Sequence, residues 1–254
     1  MLEITRQRLE IPHLPAACLG WNVAHLSDFH AGCGRWHEWI REAVDALSIL
    51  RPEIVILSGD FVDNHSREVP MILDALHGIS APNGVFAGIG NHDHRGSIPQ
   101  LVSGLERIGV QVLHNRNVHL SCGLSICGVD DCHEGKPDLE ASLRGVEPDA
   151  PQILISHHPN MFLRLPENRA AAVFAGHTHG GQIRLGEIGS ALVCRMHLST
   201  RYVHGWYRRG RSMMYVNRGI GVTGTKPLNR RWNCPRELTV YRLLGGDGVA
   251  GATE

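Results

Sequence analysis

Five short segments carry side chains that could hold metal ions: Asp28-Phe29-His30, Gly59-Asp60-Phe61-Val62-Asp63, Gly90-Asn91-His92-Asp93, His157-His158 and Gly176-His177-Thr178-His179. Carboxylates, imidazoles and one amide oxygen form the mixed donor set that borderline divalent metals prefer. Taken singly, each string is weak: D-x-H is more often incidental, and a histidine in a turn is more often a hydrogen-bonded structural residue. Their weight comes from placement, because each follows a short apolar run where a strand would end. Together they read as a two-metal hydrolytic centre.

Residues two apart in extended backbone share one side of a strand. On that rule Asp28 and His30 grip one ion, and His177 and His179 repeat the arrangement. Gly59 lets the chain turn sharply after the apolar run 54–58, placing Asp60 at a sheet edge where its two oxygens can bridge two cations. Asn91 offers a neutral carbonyl oxygen. His92, pointing elsewhere, suits proton transfer, since an unperturbed imidazole titrates at about 6.5. Asp63 is placed to fix its tautomer and orientation. His157 lies nearer the preceding strand than His158 and is the preferred ligand, with His158 the open alternative.

Something must position these groups. The runs 21–26 and 53–58 are strand-like, with helical spacing of Trp36, Trp39, Ile40, Val44 and Leu47 between them, a βαβ beginning. Further helices are predicted over 70–79, 98–108 and 137–144, and further strands over 84–89, 110–113, 117–120, 124–129, 152–156, 171–175, 213–217 and 238–243. Strands throughout with helices between some of them predict two mixed sheets packed face to face and covered by helices. Ligands then sit on loops at the carboxyl ends of strands. One domain is expected over 1–244, with a flexible Gly-rich tail over 245–254.

Composition narrows the setting. The 254 residues are 43% apolar, enough for one sizeable core. Net charge is zero but unevenly spread: residues 184–242 hold twelve Arg or Lys against two Glu, and residues 1–183 hold 13 basic against 21 acidic side chains. An anionic partner for the C-terminal part, a membrane surface or nucleic acid included, stands against arginines that are solvated or paired with the acidic N-terminal part. Seven cysteines without a C-x-x-C pair argue against a disulfide framework or zinc knuckle. No run reaches the roughly 18 to 20 apolar residues of a membrane span, and Pro12 and Pro15 break the only stretch resembling a secretory signal. With Met1 as the natural start, a cytoplasmic protein is expected.

The ordered set D-x-H, G-D-x-x-D, G-N-H-D, H and G-H-x-H resembles the calcineurin-like metallophosphoesterase superfamily. Gly176-His-Thr-His-Gly-Gly-Gln182, with Tyr215-Val-Asn-Arg-Gly219, resembles its bacterial YkuE/YaeI-type phosphodiesterase branch. The resemblance implies an α/β (α+β) fold, a four-layer αββα sandwich of two mixed β-sheets flanked by helices. It implies Asp28, His30 and His179 on the first metal, Asn91, His157 and His177 on the second, and Asp60 bridging. His92 is then the proton donor, supported by Asp63. Members of the branch often carry an N-terminal anchor or export signal; with Met1 as the natural start, this sequence is expected to depart from that.

Two divalent or trivalent ions, manganese favoured and iron or zinc as alternatives, would make hydroxide available between them for in-line attack on phosphorus. No nucleophilic serine elbow is present or needed. The expected activity is phosphodiester hydrolysis of an anionic small molecule, nucleotide or lipid headgroup. Phosphomonoester hydrolysis, or pyrophosphate cleavage in a nucleotide-linked lipid precursor, is the enzymatic alternative, and a non-catalytic scaffold the remaining one. Specificity is assigned to loops 33–36, 64–68, 94–98 and 184–211, with His65 and His94 as candidate cleft residues and Arg218 as a candidate ligand for a remote phosphate.

Overall fold

The computed structural model describes residues 1–184, 200–225, 229–247 and 249–253. The alternation of each strand decides which core it serves. In β3 (Ile54–Leu57), Ile54 and Ile56 enter one apolar cluster while Val55 and Leu57 enter another. In β4 (Val85–Ala87), Phe86 separates from Val85 and Ala87 in the same way. A strand buried on both faces reads as a continuous apolar run, and this one is packed from both sides.

The first sheet contains β3 and β4 with β1 (Leu2–Pro12), β2 (Asn22–Leu26), β5 (Val110–Val112), β12 (Arg236–Gly246) and β13 (Ala250–Thr253), in the order β13-β1-β12-β2-β3-β4-β5. The second contains β6 (Arg116–His119), β7 (Ser125–Gly128), β8 (Gln152–Ile155), β9 (Ala172–Ala175), β10 (Gly205–Arg209) and β11 (Ser212–Val216), in the order β10-β11-β9-β8-β7-β6. Both sheets are mixed: β2-β3-β4-β5 and β7-β8-β9-β11 run parallel, and antiparallel pairings flank them.

Between the sheets lies a core of Leu9, Val23, Ile54, Ile56 and Phe86 against Ile126, Ile153, Ile155 and Phe174, with Tyr215 and Tyr241 also inside it. Helices α1 (Trp36–Leu50), α2 (Val69–Ala75) and α4 (Ile98–Arg107) cover the outer face of the first sheet through Ile40, Val44, Leu47, Ile72, Leu101 and Leu105. The short α3 (Asn91–Arg95) precedes α4. Over the second sheet the outer layer is thinner: among the described residues it comprises α5 (Leu139–Ser142), the 3-10 helix Pro159–Arg164 and adjoining loops, with Met161, Phe162, Leu165 and Tyr202 packed on Leu154, Val173 and Met214. The architecture is therefore the four-layer sandwich that the resemblance implies.

Two segments depart from expectation. The described residues of the expected tail take part in the sheet: β12 continues through Gly246, and Ala250–Thr253 pairs antiparallel with Gln7–Glu10, covering an edge of β1 that would otherwise present unpaired N–H and C=O groups. The N-terminal Leu2–Pro12 is a full-length strand, parallel to β12 from Leu2↔Arg236 to Pro12↔Gly246. Among the described residues no helix is long and apolar enough to cross a membrane.

Candidate metal centre

Parallel strands β2, β3, β4, β8 and β9 deliver the five segments to one edge of the sandwich. Asp28 and His30 follow β2, Asp60 and Asp63 follow β3, Asn91 and His92 open α3 after β4, His157 follows β8, and His177 and His179 follow β9. Their donor atoms converge. Three groups, Asp28/His30/His179, His30/Asp60/His92 and Asp60/His157/His177, each bring their ligand atoms within 4.8 Å of one another. His30 Nε2 lies 3.0 Å from His179 Nε2 and 3.5 Å from Asp60 Oδ2. Asp28 Oδ1 is 3.4 Å from His179 Nε2, Asp60 Oδ2 is 3.1 Å from His157 Nε2, and Asn91 Oδ1 is 2.9 Å from His177 Nδ1. Asp60 belongs to both sides of the cluster.

The backbone achieves this differently from the sequence expectation. Asp28, His30, His177 and His179 are not extended: their φ angles are 53°, 44°, 72° and 51°, and Asp60 joins them at 56°. The same-side rule for a flat strand therefore does not apply. Left-handed residues turn the chain back on itself so that donors from consecutive loops face inward, a strained conformation for non-glycine residues that concentrates at functional sites. Close backbone approach completes the packing. A Cβ on Gly219 would lie 2.6 Å from Asp28 Cβ, so only glycine lets the Tyr215–Gly219 segment support that carboxylate.

The doubled histidine divides its tasks. His157 is fully buried and its Nδ1 is 2.8 Å from the Ser58 carbonyl oxygen, which fixes the N–H on Nδ1 and leaves Nε2 as a lone pair. That Nε2 makes no hydrogen bond, although Asp60 Oδ2 is 3.1 Å away. His158 Nδ1 accepts from Asn160 N at the start of the 3-10 helix, and its ring lies 4.1 Å from that of His177. Asp63 also acts in two ways. Its carboxylate is 3.0 Å from His30 Nδ1 and 3.8 Å from His92 Nδ1, and its main-chain oxygen makes the hydrogen bond to His92 Nδ1. Thr223 Oγ1 donates to the same carboxylate at 3.1 Å.

Charge and burial set the protonation states. Burial holds His177 and His179 well below the usual imidazole range, reinforced by the neighbouring His158 and His30 respectively, so both are neutral donors. Burial also disfavours the charged form of His157, but the Asp60 carboxylate outweighs it and pushes the imidazole up to about 10. The buried carboxylates thus recruit a proton onto the atom that would otherwise face a cation. Neutral His177 and His179, two buried carboxylates and a His157 Nε2 whose proton a cation could replace fit bound divalent metal.

Several supporting residues escaped the sequence reading. Asp93 is fully buried and accepts from the backbone N–H of Asp60, Phe61, Val62 and Gly90, at 3.0, 2.8, 3.2 and 2.9 Å. Glu68 Oε2 accepts from Asp63, Asn64 and His65 N and so shapes the loop after β3. Asp93 stands third in the short helix that begins at Asn91, a position where a carboxylate habitually satisfies free backbone donors; that was the available signal. Arg218, a candidate for remote phosphate, is instead mostly buried and pairs with Glu237 at 3.1 Å and Glu3 at 3.0 Å. Arg236, Arg211 and Arg209 pair with Glu42, Asp149 and Glu167. Four of the twelve basic residues of 184–242 therefore meet acidic residues of 1–183. Of the expected specificity loops, 185–199 lies outside the described residues.

Residues 22–181 match the calcineurin-like phosphoesterase family. The chain belongs to that family. Its His/Asp clusters are side-chain groups that could hold divalent metal. A metallophosphoesterase of Helicobacter pylori strain J99 is 31% identical over 226 residues, 86% of this chain. The chain spans 58% of the length of that relative and of its counterpart in strain 26695. The metallophosphoesterase YkuE of Bacillus subtilis strain 168 is 28% identical over 96% of this chain and 86% of its own. The UDP-2,3-diacylglucosamine pyrophosphatase LpxG of Chlamydia trachomatis is 27% identical over 96% of this chain and 90% of its own. Among solved structures, TT1561 of Thermus thermophilus aligns with a TM-score of 0.53 at 13% identity, over 79% of this chain and 90% of that one, a likeness of fold.

Proposed function

We propose that this phosphoesterase hydrolyses phosphodiesters at a dinuclear metal centre. The observation that carries the reading is the position of Asp60, whose carboxylate stands 3.5 Å from His30 Nε2 and 3.1 Å from His157 Nε2 and belongs to two donor groups at once. Asp28, His30 and His179 would hold one ion, Asn91, His157 and His177 the other, and Asp60 would bridge them. Manganese is the favoured occupant, with iron or zinc as alternatives. Bound there, two cations supply an acidified water and neutralise charge on the phosphoryl oxygens. His92 faces the same cluster, and its Nδ1 contact with the Asp63 carbonyl leaves Nε2 to carry a proton to the departing alkoxide. Asp63 orients His30 through its carboxylate and His92 through its backbone.

Likeness to LpxG over 96% of the chain supports a second reading, cleavage of a pyrophosphate in a nucleotide-linked lipid precursor. One set of measurements separates these readings. Bound metal is determined by elemental analysis, and hydrolysis of bis(4-nitrophenyl) phosphate, 4-nitrophenyl phosphate and UDP-2,3-diacylglucosamine is assayed for wild type, Asp60→Asn and His92→Ala. Wild type should hold about two ions and prefer the diester, Asp60→Asn should lose metal, and His92→Ala should keep metal while slowing about 10²- to 10⁴-fold. Preference for the UDP-lipid selects the second reading. Full activity in metal-free protein would refute both.

A further inference from the structure

The Asp130 carboxylate lies outside the donor groups just described, yet it has an unusually complete set of partners. It follows β7, at the edge of the second sheet that bears His157 on the next strand. Oδ1 accepts from His94 Nε2 at 2.7 Å and Asp131 N at 2.8 Å; Oδ2 accepts from His114 Nε2 at 2.9 Å and Lys136 N at 2.7 Å. Four donors use the full acceptor capacity of a carboxylate. The loop 131–136 closes over it so tightly that a Cβ on Gly135 would lie 2.5 to 2.6 Å from both oxygens and the carboxyl carbon. Burial works against the charge, but the His114 and His94 hydrogen bonds outweigh it and hold Asp130 far below the usual carboxylate range.

The partners come from different parts of the sandwich. His94 is on α3, which belongs to the first sheet's connections; His114 is in the crossover from β5 of the first sheet to β6 of the second. Arg95 Nη2 adds a 3.0 Å bond from α3 to Glu134 of the same loop. Asp93 ties the other side of α3 to the loop after β3. The helix is therefore suspended between the two sheets. It carries Asn91, one turn before His94, and Asn91 Oδ1 must meet His177 Nδ1, at 2.9 Å, from the opposite sheet. The Asp28/His30/His179 group takes no ligand atom from α3; the helix reaches that side through Asp60, which accepts from His92 N at 2.8 Å and whose own N–H donates to Asp93 at 3.0 Å.

We propose that Asp130 is a positioning residue for one of the two metal sites: through His94 it holds α3, and with it Asn91, in register with His157 and His177. This rests on the dinuclear reading above. Its signature is graded, since loosening α3 moves Asn91 directly and reaches the Asp28 site only through the shared Asp60. Partners of ligating groups commonly govern metal affinity by about 10- to 100-fold.

The test is Mn(II) binding to the full chain, followed by titration calorimetry and electron paramagnetic resonance, for wild type, Asp130→Asn, His94→Ala and His94→Gln. Wild type should take up two ions and show the exchange-coupled spectrum of a pair. Asp130→Asn and His94→Ala should keep one tight ion and bind the second about 10- to 100-fold more weakly, giving the spectrum of isolated Mn(II). His94→Gln retains an N–H donor for Asp130 and should restore the coupled pair. Equal weakening at both sites, an undisturbed pair in every variant, or no difference between His94→Gln and His94→Ala overturns the inference. A wild-type protein that binds a single ion overturns the dinuclear reading itself, and this inference with it.

Discussion

Gly90→Ala separates damage to the site from damage to the fold. Gly90 has φ −105° and ψ 173°, which alanine adopts freely, so the substitution carries no backbone penalty. The added methyl would lie 2.5 Å from Asp60 N and 2.9 Å from Asp60 Cγ, and would overlap Asp60 Oδ1. Ordinary contact for such a carbon begins at 3.4 Å, so one loop must yield by about 1 Å. Neither loop is free to move: Asp93 Oδ2 holds both Asp60 N and Gly90 N, and Asp60 Oδ1 accepts from His92 N at 2.8 Å. Overpacking of this kind costs about 1–3 kcal/mol in stability. Displacing the shared carboxylate by about 1 Å should lower kcat/KM on a diester by roughly 100-fold. The matched control is Gly78→Ala, at φ +86° with nothing within 4 Å of the new Cβ, where strain alone costs about 1–2 kcal/mol. Urea denaturation, bound manganese and diester turnover are measured for both variants. Comparable destabilisation with activity lost only in Gly90→Ala is expected; wild-type activity in Gly90→Ala, or equal losses in both, would refute the placement of Asp60.

Burial pulls His25 from 6.5 down to about 3, so below pH 6.5 the unfolded chain takes up a proton that the folded chain refuses, and stability falls as pH falls. Between pH 7 and pH 5 this contributes a loss of about 2 kcal/mol; wild type should lose that much more than His25→Gln in urea denaturation, and identical pH slopes would contradict it. Asp93→Asn turns an amide N–H toward backbone donors that the carboxylate accepts from, and should destabilise the protein by at least about 3 kcal/mol. A urea midpoint close to that of wild type would show that those four contacts do not matter.

The sequence made the positions of the strand ends legible because buried parallel strands announce themselves: the run 54–57 is apolar on both faces, and Asp60 follows it after Ser58 and Gly59. Helix α1 was equally clear, since its apolar stripe and its bounds, Trp36–Leu50, coincide with the predicted spacing. The first strand was not recognised, although residues 2–12 alternate as an edge-side strand does; its partner, β12, lies some 230 residues away, and nothing local records a pairing of that range. The same holds for Ala250–Thr253, whose small residues carry no strand signal apart from the edge they cover. At the site, residue types gave the donors, and local rules then misjudged the path between them. Left-handed backbone at Asp28 and His30 is imposed by tertiary contacts such as Phe29 N to the Asp60 carbonyl, which spacing within three residues cannot reveal. Asp93 was quoted with its segment but given no role, because its partners are main-chain groups brought together by the fold and only its place as third residue of the helix hints at them.

The left-handed residues also bear on how such a protein would decay. Asp28, His30, Asp60, His177 and His179 each occupy a conformation that costs a branched or bulky side chain about 1–2 kcal/mol relative to glycine. If these side chains hold cations as proposed, binding would offset that cost. In a lineage released from the chemistry, the same five places become the cheapest routes to a more stable fold, because replacement by glycine or asparagine relieves strain and removes a buried charge or imidazole in one step. Drift would therefore erase the ligands ahead of the surrounding core, leaving an intact sandwich whose former catalytic loops are rich in glycine.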